Sequence, residues 1–443
     1  MTTSFHIRTL VKDGRRAEAA AAAAQLLTEE TDTRFSDVAI NDDRYSLNSV
    51  NGTAVDADGR RLFFKFHTEE GEAETVGEYY KAHVLAEAGL PVDLPLKASS
   101  TPGRQFLLYA FRNDAKLADV CLRLELGQQG SAPAFAGAQG PFSPPFSLEE
   151  VVAAQAGLDD ATLAAALTSL APPTPASAGE ALHRLFHHRL VTPGEHGRLG
   201  GRYAQFYAGR QVPVAGREVP WEAFADLNWT VNGIGYRRTL REVFEQSYRL
   251  LDPHRLAGLP VLVSHGDAHN ANVWIRRDEE GRPGLVLFDP AFAGNTIPAL
   301  LGEVKATFHN ILAHPLWLYT PDLADKAFRV SAQVQDGRIA VTHDWALGEL
   351  RSRLLALKRD RYWRPLLGRL NEMRALPGDW EDTMRSALFC CPTLVMSQLP
   401  GGARSPAIGL LGLAIAVMCG SEPEGARSDV VSELFADLRR SLA

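Results

Sequence analysis

The sequence predicts an α+β protein of two lobes, in which a small antiparallel sheet with one key helix precedes a larger, mainly helical lobe. Short β-like runs are concentrated between residues 35 and 67 and recur at 104–111, with one helical pattern between them. Helical patterns dominate from about residue 179 onward. With 443 residues, 45% of them hydrophobic, the chain is long enough to bury either one large core or two lobes.

The elements of the small lobe follow one another in the first quarter of the chain. Residues 11–30 are rich in alanine and predict a helix within an N-terminal extension over 1–33. The letters "DADG" between "GTAV" and "RRLFFKF" predict a hairpin turn. The key helix is predicted in "EAETVGEYYKAHVLAEAG", which ends at Gly89 and Pro91. Because "RQFLLYAF" predicts a further strand, the small lobe is expected to span residues 34–115.

The large lobe is expected to comprise residues 116–443. Two segments rich in Gly, Pro and Ala predict insertions at about 127–180, and Ser147 and Glu150 between them have capping-box spacing. The run "AIGLLGLAIAVMCG" is too short to span a bilayer and predicts a buried helix. Helical patterns of this lobe lie at residues 179–190, 238–252, 299–312, 344–375 and 380–390.

Charge and cysteine usage narrow the class of protein. The formal net charge of −7 argues against a nucleic-acid-binding protein, and it fits a cationic ligand or bound Mg²⁺ as well as simple solubility. The N-terminus lacks the apolar core of a signal peptide. We therefore expect a cytoplasmic protein without a membrane or nucleic-acid partner, whose oligomeric state the sequence does not determine. The four cysteines match no metal-binding pattern: Cys121, Cys390, Cys391 and Cys419. The adjacent Cys390 and Cys391 lie in an apolar run and predict buried thiols, which favours a reducing compartment.

A candidate site lies in "VLVSHGDAHNANVWIRRDEEGRPGLVLFDPAFAG", residues 261–294. The runs "NVWIRR" and "GLVLF" predict an antiparallel hairpin centred near residue 281, which would put Asn272 roughly opposite Asp289. Asp267 lies in the loop that enters this hairpin. Oxygen ligands without thiols suit Mg²⁺, and a further carboxylate can accept the proton of an attacking hydroxyl, as phosphoryl transfer from ATP requires. The alternative is a metal-free hairpin with solvated acids and packed histidines.

The segments "HGDAHNAN" and "FDP" resemble the catalytic loop and metal-binding aspartate of the aminoglycoside phosphotransferase-like branch of the kinase superfamily, and "DPAF" is closest to its ketosamine and methylthioribose kinases. The resemblance implies a two-lobed protein-kinase-like fold and transfer of the γ-phosphate of ATP to a hydroxyl of an aminoglycoside, amino sugar or amino alcohol. It implies that Asp267 is the catalytic base and that Asn272 and Asp289 bind Mg²⁺. The family pattern HGDxHxxN is matched at His265, Gly266, Asp267, His269 and Asn272.

The same resemblance implies a lysine over the nucleotide phosphates. Lys65 lies in "RRLFFKFHTEEG", where a charge flanked by apolar residues is costly without a partner. Glu78 on the key helix is the implied partner, chosen over Glu72 and Glu74. The alternative is a lysine at a strand edge whose stem packs while its ammonium group reaches water.

The nucleotide-binding turn is where the sequence departs from the kinase pattern. "SLNSVNGT", residues 46–53, has a single glycine, yet its side chains and backbone N–H groups can bind phosphate oxygens. An Asn-Gly hairpin turn without a ligand is the alternative. In "LLYAF" the backbone of Ala110 and Phe111 is implied to meet adenine. The nucleotide-binding residues of the turn are predicted to be Ser46, Asn48, Ser49, Asn51 and Gly52.

The sequence gives the least information about the residues that would bind the acceptor. Glu303, His309 and Asn310 have helical spacing beside the expected site, with amphipathic packing as the alternative. The basic run 353–369 would suit an anionic acceptor, although a solvated helix face is more usual. The role of His269 stays open: its side chain either steadies the metal-binding loop or simply packs against its neighbours. Two other functions are open as well: a catalytically silent kinase-like nucleotide-binding module, and nucleotidyl transfer on the same fold.

Overall fold

The small lobe is built on a five-stranded antiparallel sheet. The computed structural model describes residues 2–41, 49–67, 81–99, 101–128, 146–194, 197–401 and 404–442. The strand order is β1-β2-β3-β5-β4, and every neighbouring pair is antiparallel. The strands are β1 (Ser36–Ile40), β2 (Ser49–Val55), β3 (Arg61–His67), β4 (Lys97–Ser99) and β5 (Phe106–Ala110).

The turn between β2 and β3 is held by one aspartate. The Asp56 carboxylate accepts the backbone N–H groups of Asp58 at 3.0 Å and Arg60 at 2.9 Å, which is how aspartate commonly stabilises a tight turn. The hairpin predicted from "DADG" is thereby confirmed, and it sets the position of Lys65 in the middle of β3.

Two separate hydrophobic cores divide the molecule. In the first, the helices Ser4–Lys12 and Arg16–Thr31 pack on the sheet, where their residues Ile7, Leu10, Leu26 and Leu27 meet Phe64, Phe66 and Phe106. Leu85 and Leu90, around the end of the helix at 81–87, instead belong to the second and larger core. The predicted α+β architecture with a small and a large lobe is confirmed.

The large lobe is mainly helical. The capping box predicted at Ser147 and Glu150 is present, and it begins a helix that packs into the centre of this lobe. The 14 labelled α-helices of the described large lobe are Leu117–Gln128, Leu148–Ser169, Gly201–Phe206, Trp221–Phe224, Leu240–Leu250, Pro253–Leu256, Val304–Thr307, Pro315–Tyr319, Pro321–Ala327, Glu349–Leu357, Arg364–Glu372, Trp380–Val395, Pro406–Gly420 and Val430–Arg440. Two π-helical turns, Phe308–Leu312 and Lys358–Trp363, continue two of them.

Short strands are interleaved with these helices. They are β6 (Ala115–Lys116), β7 (Gln211–Val214), β8 (Arg217–Pro220), β9 (Asn228–Val231), β10 (Ile234–Gly235), β11 (Val261–Ser264), β12 (Val273–Arg277), β13 (Pro283–Leu287), β14 (Gly294–Pro298), β15 (Val330–Gln335) and β16 (Arg338–His343). The sheets are ordered β10-β9-β16-β15, β13-β12-β6, β11-β14 and β7-β8. The hairpin predicted from "NVWIRR" and "GLVLF" is confirmed as β12 and β13, whereas the hairpin of β15 and β16, which alternate between buried and exposed residues around an Asp-Gly turn, was not predicted.

One predicted helix is wrong. Residues 179–190 form parts of three short 3₁₀ segments, Pro175–Gly179, Ala181–Leu185 and His187–Arg189, rather than one α-helix. The interruptions occur at Glu180, whose carboxylate accepts the Thr296 N–H at 3.0 Å, and at the buried Phe186. Tertiary contacts of these two residues therefore override the local helical pattern.

The buried segments agree with their sequence-based interpretation. The apolar run near the C-terminus forms the buried helix Pro406–Gly420, and all four cysteines are buried free thiols. Among the described residues, no helix combines the length and the apolar composition that crossing a membrane requires.

Burial of His314 predicts a specific loss of stability in acid. The ring is 3% exposed, its Nδ1 accepts the Leu316 N–H at 3.1 Å, and burial lowers its pKa to about 4. In the unfolded chain, His314 takes up a proton once the pH falls below its ordinary pKa of 6.5. In the folded protein, the pKa of about 4 keeps the ring neutral until the pH is much lower. We therefore expect His314 to make the free energy of unfolding about 2 kcal/mol lower near pH 5 than at neutral pH.

The test compares urea unfolding of the wild type and His314→Gln at neutral pH and near pH 5. The variant should lose less stability on acidification than the wild type, whatever its stability at neutral pH. His6→Gln, at an exposed position, is the matched control and should keep the wild-type pH dependence. Equal acid sensitivity in all three proteins would contradict this prediction.

Candidate active site

The loop between β11 and β12 carries Asp267, and its path depends on a glycine. Gly266 has φ +75°, and a Cβ at this position would lie 2.7 Å from the carbonyl oxygen of Phe292 and 2.9 Å from Leu182. A larger residue would therefore be strained and would collide with backbone. Gly266 thus lets the loop pass directly against the segment that follows Asp289.

His265 joins this loop to the end of β13. Its Nε2 lies 3.0 Å from the Phe288 carbonyl oxygen, and its Nδ1 lies 3.3 Å from the Asp267 nitrogen. Since a backbone N–H donates and a carbonyl accepts, the ring must carry its proton on Nε2 and accept on Nδ1. A neutral His265 therefore links the residue before Asp289 to Asp267 itself.

The Asp267 carboxylate is buried, and one of its oxygens has no hydrogen bond within the described part of the chain. Its residue is 9% exposed, and Oδ1 accepts no hydrogen bond from any residue that the structure describes. The Lys305 ammonium lies 3.6 Å from this oxygen, and His269 Nε2 lies 3.8 Å from Oδ2. A buried acceptor without a donor is rare and is suited to receive the hydroxyl of a substrate.

Lys305 is the cation of this site that the sequence analysis missed. It is 4% exposed, and its Nζ also lies 3.0 Å from His309 Nε2. Burial and then the Lys305 charge hold the pKa of His309 well below its ordinary value, so the neutral ring accepts this hydrogen bond. A charge within the apolar surroundings of "EVKATF" was the available signal, the same signal that identified Lys65.

Asn272 lies at the start of the hairpin, one residue from its predicted register. The observed pairs run from Val273 with Leu287 to Arg277 with Pro283, and the Phe288 N–H donates to the Asn272 carbonyl at 3.0 Å. Phe288 rather than Asp289 therefore lies opposite Asn272. The turn explains the difference, since the Asp278 carboxylate accepts the N–H groups of Glu280 and Arg282 and centres the turn at 280 rather than 281.

Asp289 meets the small lobe through Lys65. The two form an ion pair between Lys65 Nζ and Asp289 Oδ1, with the lysine residue 6% exposed. Asp289 also has a left-handed backbone with φ +57°, which aspartate tolerates better than most residues and which often marks functional sites. The pair joins residues 224 positions apart and brings a cation of β3 to the end of the large-lobe hairpin.

Several predicted nucleotide contacts lie outside the described residues. These are Glu78, Ser46 and Asn48, together with the side chain of Ser49. Asn51 and Gly52 are described, and they lie within β2 opposite Lys65 and Phe64, so the alternative of an Asn-Gly turn is wrong. A Cβ on Gly52 would lie 2.2 Å from the Ala39 carbonyl and 2.4 Å from the Phe64 ring, which shows that packing requires this glycine.

The proposed adenine contact lies at the end of β5. Ala110 is exposed and pairs with Leu62, while the Phe111 N–H donates to the Arg61 carbonyl at 3.2 Å. The Arg61 guanidinium also lies 3.9 Å from the centre of the Phe111 ring. The sheet thus already uses the Phe111 N–H, and the contact of these two residues with adenine stays a prediction.

The residues predicted on the acceptor side support the loop and the core instead. Asn310 accepts the Asn270 N–H at 2.7 Å and donates to the Ala268 carbonyl at 3.2 Å, which secures the loop around Asp267. Glu303 is buried and binds Lys358 Nζ at 2.9 Å. Most cations of the run 353–369 are likewise paired with acids: Arg353 with Glu149, Arg359 with Asp437, Arg361 with Asp160, and Arg364 with Asp360.

The donor set fits Mg²⁺ held jointly with a nucleotide. The Asn272 amide group donates through Nδ2 to the Asp267 carbonyl at 3.1 Å, which leaves its Oδ1 as an oxygen ligand, and the Phe288 N–H that bonds to the Asn272 carbonyl immediately precedes Asp289. Within the described part of the chain, no three His, Cys, Asp or Glu side chains form a metal-binding group. One carboxylate and one amide, completed by phosphate oxygens, is a complement that Mg²⁺ accepts.

Comparisons with known proteins give structural matches only. No family model and no curated protein matches the chain. Solved structures similar to it include a macrolide 2′-phosphotransferase type I, with a TM-score of 0.36 and 14% identity over 84% of this chain and 97% of that one. The GDP complex of an aminoglycoside 2′-phosphotransferase has a TM-score of 0.38 and 9% identity over 96% of this chain and 98% of that one.

A third match comes from another organism and acceptor class. An ethanolamine kinase from Plasmodium vivax has a TM-score of 0.33 and 9% identity, covering 94% of this chain and 84% of that one. All three matches are named as kinases or phosphotransferases, the class that "HGDAHNAN" resembles. At these identities and TM-scores, the function of this chain has to be inferred from the site itself.

Proposed function

We propose that the protein is an ATP- and Mg²⁺-dependent phosphotransferase that transfers the γ-phosphate to a hydroxyl of a small molecule. The observation that carries this proposal is the ion pair between Lys65 of the small lobe and Asp289 of the large lobe. The loop of Asp267 is joined to the same end of the hairpin by His265 and Asn272. A cation, an acid suited to binding a metal ion and a buried carboxylate around the end of one hairpin are what phosphoryl transfer requires.

Asp267 orients the acceptor hydroxyl and receives its proton. As the hydroxyl oxygen forms a bond to the γ-phosphorus, the bond from that phosphorus to the bridging oxygen breaks and ADP leaves. The Oδ1 atom, which accepts no hydrogen bond from the residues described, is available for the hydroxyl, and Lys305 at 3.6 Å fixes the position of the carboxylate. Holding the reacting groups in this geometry is the main contribution that the protein makes to such a reaction.

Asn272 and Asp289 would hold Mg²⁺, which supplies charge neutralisation to the phosphates when bound. Lys65 supplies the second positive charge on the nucleotide, because its ammonium is already at the Asp289 carboxylate. His265 keeps the loop and the end of β13 in register, so that Asp267 and Asp289 stay on the same side of the hairpin.

Replacing Lys65 with methionine is expected to weaken binding of Mg²⁺-ATP. Loss of a charge-assisted contact to phosphate should lower the affinity by about tenfold or more. The measurement is the rise in melting temperature on adding Mg²⁺-ATP, which depends on the dissociation constant. Lys97→Met, at an exposed position of β4 in the same sheet, is the matched control and should respond like the wild type.

The same assays separate the competing functions. A wild-type protein that Mg²⁺-ATP does not stabilise would contradict nucleotide binding altogether, and stabilisation without any turnover across acceptor classes would indicate a silent binding module. In an ATP-consumption screen, the mass of the product distinguishes addition of phosphate from addition of AMP. A product that carries AMP would show that the protein catalyses nucleotidyl transfer and not phosphoryl transfer.

A further inference from the structure

The segment that follows Asp289 is held by a lysine of the helix at 81–87. Lys81 donates a hydrogen bond through Nζ to the Ala291 carbonyl oxygen at 2.6 Å. Hydrogen bonds from a charged donor are shorter and stronger than those between neutral groups. Because the two residues are 210 positions apart, the contact arises from the tertiary structure and takes no part in the steps described above.

A second contact with the same part of the chain lies on the other side of Asp289. The Leu287 N–H donates to the Pro91 carbonyl, and the Asp93 N–H donates to the Leu287 carbonyl, both at 2.7 Å. Leu287 precedes Asp289 by two residues, and Ala291 follows it by two. Asp289 therefore lies midway between two contacts, one with the helix and one with the chain that leaves it.

The core of the large lobe keeps this helix in place. Leu85, one turn beyond Lys81, and Leu90, just after the helix has ended, both belong to that core. Lys81 itself is partly buried, so its long side chain has less conformational freedom to lose when it makes the contact. The helix is thus a fixed support from which Lys81 reaches the segment beyond Asp289.

The backbone of Asp289 requires support of this kind. Its φ of +57° lies in the left-handed region, where a residue other than glycine persists only when the surrounding structure holds it. On the N-terminal side, the Phe288 ring stacks on Trp274 with the ring centres 4.4 Å apart. On the C-terminal side, Lys81 holds the carbonyl of Ala291. Loss of the second contact would let the strained backbone relax and move the carboxylate.

We propose that Lys81 is a positioning residue of the metal site: by holding Ala291, it keeps the Asp289 carboxylate in the position that Mg²⁺ binding requires. The inference rests on the proposed function, in which Asn272 and Asp289 bind Mg²⁺, and it extends that site to the helix at 81–87. Lys81 acts through Asp289, whereas Lys65 acts on the nucleotide phosphates directly.

The test measures how much Mg²⁺ strengthens the binding of ATP. Calorimetry gives the dissociation constant of ATP for the full-length protein in excess Mg²⁺ and, separately, in EDTA. Lys81→Met should raise the constant in Mg²⁺ by about tenfold and leave the constant in EDTA nearly unchanged. Lys65→Met should raise both constants, because its contact with the phosphates does not require the metal. Lys81→Arg keeps a charged donor and should restore much of the effect of Mg²⁺.

Further variants separate positioning from general damage to the fold. Glu87→Gln, at an exposed position of the same helix, is the matched control and should bind ATP like the wild type in both conditions. In a protein that already carries Asp289→Asn, Lys81→Met should cause little further loss, because residues that act as one unit are not additive. The melting temperature without ligand shows whether each variant folds, and Lys81→Gln replaces a methionine variant that does not.

The failures of the two proposals are distinguishable. The positioning role is overturned, while the kinase function stands, if folded Lys81 variants gain as much affinity from Mg²⁺ as the wild type. Equal losses in Mg²⁺ and in EDTA, or additive losses with Asp289→Asn, would overturn it as well, since Lys81 would then act independently of the metal site. If Mg²⁺ does not strengthen the binding of ATP to the wild type, the metal site and with it the proposed function are wrong.

Discussion

Asp267→Asn is expected to reduce the rate of phosphoryl transfer by about 10²–10⁴ while leaving nucleotide binding largely intact. The loss corresponds to about 3–5 kcal/mol in activation free energy. Asparagine keeps the shape of the side chain but cannot accept a proton from the acceptor hydroxyl. The effect should therefore be on kcat, because Asp267 is the residue that we propose contacts the acceptor, and it is not one of the residues expected to bind the nucleotide.

Steady-state kinetics of the variant, together with its stabilisation by Mg²⁺-ATP, measure the two parts of this prediction. Asp278→Asn is the matched control, because Asp278 lies at the far end of the same hairpin and bonds to the turn and to Arg282. This control should turn over like the wild type. If Asp267→Asn also retained wild-type turnover, the assignment of Asp267 as the proton acceptor would be wrong.

Lys358→Met is expected to lower the unfolding free energy by about 3–5 kcal/mol. Lys358 is 4% exposed, and its Nζ lies 2.5 Å from Asp159 and 2.9 Å from Glu303, both of them buried. Burial disfavours its charge, but the two carboxylates outweigh burial and raise the pKa of the lysine. Methionine would fit the space and leave two buried acids without their cation, which is far costlier than losing a surface pair.

Denaturant unfolding of Lys358→Met and Arg361→Met provides the comparison within one basic run. Arg361 pairs with Asp160 at the surface, where both side chains are more than two-fifths exposed, so its loss should cost less than about 1 kcal/mol. Adding Asp159→Asn and Glu303→Gln to Lys358→Met should recover much of the stability. Similar, small losses for the two single variants would contradict the role of Lys358 as the cation of a buried cluster.

The arrangement of Asp267, Asn272 and Asp289 could be predicted from the sequence because they lie on one continuous hairpin. Alternating apolar residues indicated two strands, and the polar turn between them limited the register to within one residue of the observed pairing. The remaining error has a local cause, the capping of the turn by Asp278, which shifts its centre from 281 to 280. Contacts between residues close in sequence are thus mostly determined by strand periodicity and turn chemistry.

Charged residues within apolar runs were informative without identifying their partners. The cost of burying Lys65 indicated that it must meet an acid, and within the described residues its ammonium pairs with Asp289, which lies 224 positions away, while the predicted partner Glu78 lies outside them. The same principle applied to Lys305 and Lys358 would have indicated two further buried cations. The helical spacing of Glu303, His309 and Asn310 correctly predicted that they lie on one face of a helix. That face contacts the Asp267 loop and the core of the large lobe.

The sequence by itself indicated the candidate site, through the resemblance of "HGDAHNAN" and "FDP" to a known motif, and it indicated the two-lobed α+β pattern through local propensity and periodicity. Only the tertiary structure decided which distant groups meet, such as Lys65 with Asp289 and Lys305 with Asp267. The physical reason is that such pairs depend on how two whole cores pack, and burial of apolar surface distributed over the chain determines that packing.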